Sequence, residues 1–306
     1  MKLVAAIASA ALLLLTAGCP NKNRNESVKA SNEGTKAYSQ NQFETAIERY
    51  QKAIERWREN TTAWYGLAGS HAKKKDWKQA AEAAKKTVEL SPGTAMYQLL
   101  YGYAEYERVV QAAREAQAPA QQKKADEITP DLAQANFQIA LQHLTEAVKL
   151  NPELWRAHYY LGRIYRDTGK SKEAAEEFTK ALQSVPPEPA PWVALVELYR
   201  AWDYTDQALS VATQGVLDRV IPNAQDQSDV WYEVGMANDD KQLFDKAIEA
   251  YTKALDGRRE NHKAKFQRGQ AYFKKGDHTN AKRDLEEFSK AGGASVEFSK
   301  QQPRRC

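Results

Sequence analysis

The sequence predicts an all-α fold, about seven helix-turn-helix units stacked as an α-solenoid, and three observations predict it. The first is a ladder of small residues: Gly34, Ala68, Gly102, Gly162, Val196, Gly235 and Gly269 follow at steps of 34, 34, 60, 34, 39 and 34. The second is a ladder of alanines, Ala46, Ala80, Ala140, Ala174, Ala208, Ala247 and Ala281, at steps of 34, 60, 34, 34, 39 and 34. Both share a unit of 34 residues and both contain the step of 60, so 26 inserted residues lie between Gly102 and Ala140. The third is amphipathic spacing, as in Ala46, Ile47, Tyr50, Ala53 and Ile54, which gives one apolar helix face. Strand signals are absent. A single hairpin cannot bury both of its faces, so stacked hairpins share one continuous core.

The units run near 27–60, 61–94, 95–154, 155–188, 189–222, 228–261 and 262–295. The first carries Gly34, Ala46, Tyr50 and Ala53, and the second Trp64, Leu67, Ala68, Ala80 and Pro92. The third keeps Gly102, Ala140, Leu144, Ala147 and Pro152 around its insertion, which spans about 109–134. The fourth has Leu161, Gly162, Tyr165, Gly169 at the turn, Ala174, Phe178, Ala181 and Pro186. The fifth has Trp192, Leu195, Tyr199 and Ala208, with Val196 in place of the small first-helix residue. The sixth has Trp231, Gly235, Ala247, Tyr251 and Ala254, and the seventh Gly269, Tyr272, Gly276 and Ala281. Together these residues resemble the tetratricopeptide repeat, Trp-x2-Leu-Gly-x2-Tyr in one helix and Ala-x3-Phe-x2-Ala then Pro in the next. The resemblance implies a right-handed superhelix with a concave binding surface made by the first helix of each unit.

At the N-terminus, Met1 and Lys2 give a charged start and Leu3 to Leu15 an apolar run too short to span a bilayer, the order of a secretion signal. Thr16-Ala17-Gly18 running into Cys19 resembles the lipobox of bacterial lipoproteins. The resemblance implies removal of residues 1–18, acylation of Cys19, and attachment to a membrane through more than one chain. With Pro20 rather than Asp after the cysteine, it implies the outer membrane, facing the periplasm, with residues 19–26 as a tether. Cys306 is then the one remaining thiol, so no internal disulfide is expected, and Cys306 is left either to form a dimer between chains or to stay a reduced thiol.

Composition excludes other classes. With 42% hydrophobic and 27% charged residues the chain is neither disordered nor fibrous. Forty-four Lys+Arg against 40 Asp+Glu, spread along the chain, lack the clustered basic footprint of a nucleic-acid binder. There is no CxxC or HExxH, and His71, His143, His158, His262 and His278 never fall in ligand spacing. No metal site, no cofactor and no catalytic residue are expected, and no phosphate loop or nucleophile elbow points to an enzyme.

Binding residues are expected on the inner face of the first helices. Arg156, Tyr159, Arg163 and Arg166 are spaced 3, 4 and 3 in the fourth unit, so they project together. Met96, Leu99, Tyr103 and Tyr106 do so in the third. An aromatic and aliphatic floor beside guanidiniums suits an acidic segment with apolar anchors, set against the reading that nearby carboxylates such as Asp167 simply offset the arginines. The insertion is expected as two lengthened helices joined by a mobile tip, and residues 296–306 as a frayed tail. Anchor plus repeat array resembles lipoproteins that help assemble type IV pilus secretins or gliding machinery. Adaptors of periplasmic proteases or peptidoglycan enzymes, and peptide-binding chaperones, are the alternatives. Other envelope proteins are the partners this implies.

Overall fold

The computed structural model describes residues 20–183, 187–217 and 220–291; the signal segment, Cys19, Pro186, the tail 296–306 and Cys306 lie outside the described residues. Among the described residues there are fourteen α-helices and no strand. They are α1 (Pro20–Ser39), α2 (Phe43–Arg56), α3 (Thr61–Lys73), α4 (Trp77–Leu90), α5 (Ala95–Gln117), α6 (Gln138–Leu150) and α7 (Trp155–Asp167). There follow α8 (Ser171–Ala181), α9 (Pro189–Ala201), α10 (Thr205–Gly215), α11 (Ala224–Asp240), α12 (Phe244–Gly257), α13 (His262–Lys275) and α14 (His278–Lys290). Taken in order they form hairpins, the helical-repeat architecture of an α-solenoid that the ladders predict.

The described residues fall into two units, one within 20–112 and 136–151, the other within 113–135 and 152–291. In the first, α1 packs on α2 and α3, α2 on α3, and α3 on α4. Its core is a column of alanines, Ala46, Ala53, Ala63, Ala68, Ala80 and Ala84, with Tyr50 and Leu67 between them. In the second, each of α7 to α14 packs on its hairpin partner, the hairpins stack in sequence, and α9 also meets α11. Each Phe, Tyr or Leu side chain buried in these cores contributes about 1.5–3 kcal/mol.

The ladder glycines are where the two helices of a hairpin touch. A Cβ on Gly162 would lie 2.6 Å from the Phe178 ring, one on Gly235 2.3 Å from Tyr251, and one on Gly102 2.7 Å from Leu144 Cγ. In the fifth hairpin Val196 is fully buried, and so is Ala212, which stands where Phe178 and Tyr251 stand in the fourth and sixth. The volume removed from one helix is thus restored on the other, and Val196 packs in the same cluster as Ala212 and Trp192.

The turn between the helices of a hairpin needs one residue with positive φ. Asn41 (58°), Lys75 (62°), Gly169 (76°), Asp203 (60°), Gln242 (59°) and Gly276 (89°) fill that place in six hairpins. The next amide then closes on the carbonyl five residues back, as in Lys170 N to Tyr165 O at 2.7 Å and Asp277 N to Tyr272 O at 2.9 Å. The equivalent place in the third hairpin is Val109. A β-branched residue is strongly disfavoured there, and α5 runs on through it for two more turns to Gln117.

That changes the insertion. Only α5 is lengthened; α6 starts at Gln138, and the connection carries two short 3-10 turns, Pro119–Gln121 and Ala125–Glu127. The expected second long helix does not form because Pro119 and Pro130 interrupt the run. Nor is the loop a loose tip. The Gln117 side chain donates to Asp131 O and accepts from Asp131 N, both at 2.8 Å, and Ala118 and Ile128 are buried. The expected tether also differs: from Pro20 onward residues are helical and continuous with α1. Arg24 lies over the Trp57 ring at 4.7 Å and Glu26 pairs with Arg56 at 3.5 Å, which holds these first turns against the end of α2.

Candidate protein-binding face

The two helices nominated from sequence behave differently. On α5, Tyr106 is 1% exposed and stacks on Phe137 at 5.3 Å with the rings 22° apart, and Leu99 is buried as well. Tyr106 is therefore a core residue and not part of a binding floor; Phe137, the residue just before α6, covers it. Tyr103 is half-buried, edge-on to Trp77 at 5.4 Å. Met96, 40% exposed, is the α5 residue of this set that is open to solvent.

On α7 the buried side is Ala157, His158, Leu161, Gly162 and Ile164. His158 fixes the helix in place, with Nδ1 2.6 Å from Glu177 Oε2 on α8 and Nε2 2.8 Å from Pro152 O. Burial works against the Glu177 charge, but hydrogen bonds from His158 and Lys180 override it and hold the carboxyl below its usual range. This firm seat presents the opposite side of α7 as a stack of rings and guanidiniums. Arg156 lies 4.5 Å from the Trp155 ring, and Arg163 lies over Tyr159 at 5.9 Å and Tyr160 at 5.5 Å. Tyr159 is edge-on to Trp155 at 6.4 Å and to Tyr160 at 5.3 Å, and rests on Phe178 at 5.9 Å.

The four predicted α7 residues do share this side, but their charges are not alike. Arg166 donates from Nε and Nη2 to Asp167 Oδ1 at 3.0 Å and reaches Glu197 of α9 at 3.8 Å. Arg156 meets Glu188 at 3.5 Å while its side chain stays 53% exposed. Arg166 is thus tied to carboxylates of its own and the next unit, while Arg156 and Arg163 stack over the rings of the aromatic shelf. The shelf can offer ring faces to apolar groups and stacked, oriented donors to carboxylates.

Sequence reading missed a second cluster on α9 and α11. Arg200 donates from Nη1 to Glu233 Oε2 at 3.2 Å and from Nε to Asp240 Oδ2 at 2.7 Å, with the Glu233 side chain 3% exposed. Lys274 of α13 lies against Asp239 of α11. Repeat spacing carries no signal for it: the partners Arg166–Glu197, Arg200–Glu233 and Arg200–Asp240 stand at different places in their units. Among the described residues no group of three His, Cys, Asp or Glu is placed to hold a metal ion, and no helix is long and apolar enough to cross a membrane.

Stacked helical hairpins with this spacing define a repeat scaffold, a class that presents side chains along a surface. The tetratricopeptide repeat model matches residues 32–95, 131–189 and 206–292, and the chain belongs to that family. It is accordingly a protein–protein interaction scaffold. None of the curated proteins matches the sequence. Among solved structures, the chain is similar to one in the APC/C hetero-tetramer Cut9-Hcn1, at 19% identity and a TM-score of 0.58, over 80% of this chain and 43% of that one. It thus spans under half of that protein's length. It is also similar to TTC0263, a thermophilic TPR protein in Thermus thermophilus, at 18% identity and a TM-score of 0.46, covering 81% and 99% of the two chains. MamA matches at 19% identity and a TM-score of 0.40, over 78% and 94%. At such identities the likeness concerns the fold alone.

Proposed function

We propose that the protein is a lipid-anchored periplasmic scaffold that holds partner proteins at the outer membrane within an envelope assembly. The class of machine that fits an anchored repeat array is one built from several envelope proteins, such as a pilus secretin or a gliding motor. The anchor rests on the small residues running into Cys19 and the scaffold on the repeat family. The observation that carries the binding half is the α7 shelf, where Arg156 and Arg163 lie over Trp155, Tyr159 and Tyr160. Its chemistry favours an acidic segment with aromatic or aliphatic anchors.

The test uses the full chain expressed in a diderm bacterium. Wild type should fractionate with membranes, carry acyl chains on Cys19 by mass spectrometry, and capture envelope proteins from detergent extracts. Cys19→Ser should move to the soluble fraction and keep its partners in vitro. An unacylated wild-type chain in the soluble fraction overturns the anchor, and a wild-type capture indistinguishable from a bare-resin control overturns the scaffold role in the envelope.

A further inference from the structure

The Arg200 cluster holds more negative charge than its geometry can pair. One guanidinium serves two carboxylates, Glu233 at 3.2 Å and Asp240 at 2.7 Å. The groups that face Glu233 are Glu197 and Arg200 from α9, Tyr232 and Asp240 from its own helix, Tyr251 from α12, and Lys263 from α13. Glu197 adds a further negative charge, and Lys263 opposes it. Asp240 is 38% exposed and open to water, whereas the Glu233 side chain is 3% exposed, in the seam where α9 packs on α11. Burying a second, half-paired carboxylate is strongly unfavourable, and a proton removes that cost.

We propose that this seam is a proton-sensitive joint: Glu233 takes up a proton to close the packing of α9 on α11, and gives it up to water, loosening that packing, as the medium turns alkaline. Burial pushes the Glu233 carboxyl up to about 8, with Arg200 pulling the other way and Glu197 reinforcing the rise. The folded state then binds more protons than the unfolded chain between the ordinary carboxyl value of 4.5 and that point. The stability so gained is complete below about 4.5 and is lost as pH rises through about 8. The inference does not depend on the anchor or on the α7 shelf.

The experiment compares the full chain with Glu233→Gln, which keeps an acceptor for Arg200 and removes the titration. Thermal midpoints are measured from about pH 5 to about pH 9. The wild-type midpoint should fall relative to the variant over that range, and amide exchange in α9 and α11, corrected for intrinsic rate, should quicken in wild type alone. In wild type a protonated-carboxyl infrared band should be present near pH 6 and lost by about pH 9. Parallel midpoint curves for the two proteins overturn the proposal. If the variant does not fold, the band in wild type decides: its titration near neutral pH upholds the joint, and its absence near pH 6 overturns it.

Discussion

The Phe178 ring stands 2.6 Å from where a Cβ on Gly162 would be, so the two residues fit only because one of them has no side chain. The same relation joins Gly34 to Tyr50 and Gly235 to Tyr251, always sixteen residues apart. It makes the spacing between the helices of a hairpin a shared volume, filled from either side.

Gly162→Ala should therefore destabilise the fold by about 1–3 kcal/mol, since the ring must move or the helices part. Gly162→Val with Phe178→Ala rebuilds the pair that Val196 and Ala212 form in the fifth hairpin. That double variant should recover part of the loss seen in Gly162→Val alone. Chemical denaturation of the four proteins gives the coupling; strictly additive single losses would show that the two side chains do not share a volume.

The turn residues give a second prediction, because a left-handed backbone costs an ordinary side chain roughly 1–2 kcal/mol. Gly169, with φ of 76°, carries no such cost and Gln242, with φ of 59°, does. Gly169→Ala should lower stability by about 1 kcal/mol, and Gln242→Gly should raise it by up to about 1 kcal/mol, less the entropy glycine adds to the unfolded chain. A pair of urea curves is enough to check the signs, and a loss of stability in Gln242→Gly would refute the turn geometry.

Much of this architecture was legible in the sequence because it is written in period. Small residues every 34 positions disclosed the helix contacts, and Gly169 disclosed a turn. Where the period was broken, legibility ended. Val109 looks like any apolar helix residue, and only its place in the turn column explains why α5 continues to Gln117. The burial of Tyr106 was missed although its cover, Phe137, stands in the same repeat column as Phe43, Trp77 and Phe244, because the insertion sets the two rings 31 positions apart. The buried Glu233 was equally hidden: spacing reveals which face a residue shares, not which neighbouring repeat supplies its counter-charge.

The α7 shelf yields the prediction that bears most directly on binding. Reversing charge at Arg166 would be a poor test, because it would set three carboxylates together with Asp167 and Glu197 and disturb the fold. Arg156 and Arg163 are the better pair, since both guanidiniums lie over rings and Arg156 is 53% exposed. The double variant Arg156→Gln and Arg163→Gln should keep its thermal midpoint and bind a captured partner more weakly. A solvent-exposed charge pair is worth at most about 1 kcal/mol, whereas removing a desolvated, hydrogen-bonded arginine costs roughly 2–5 kcal/mol. Titration calorimetry at low and high salt separates the two, because only the exposed pair fades with ionic strength. Wild-type affinity of the double variant at both salts would take the α7 shelf out of the binding face and leave Met96 of α5 and the first helices of the other hairpins as the surface to examine.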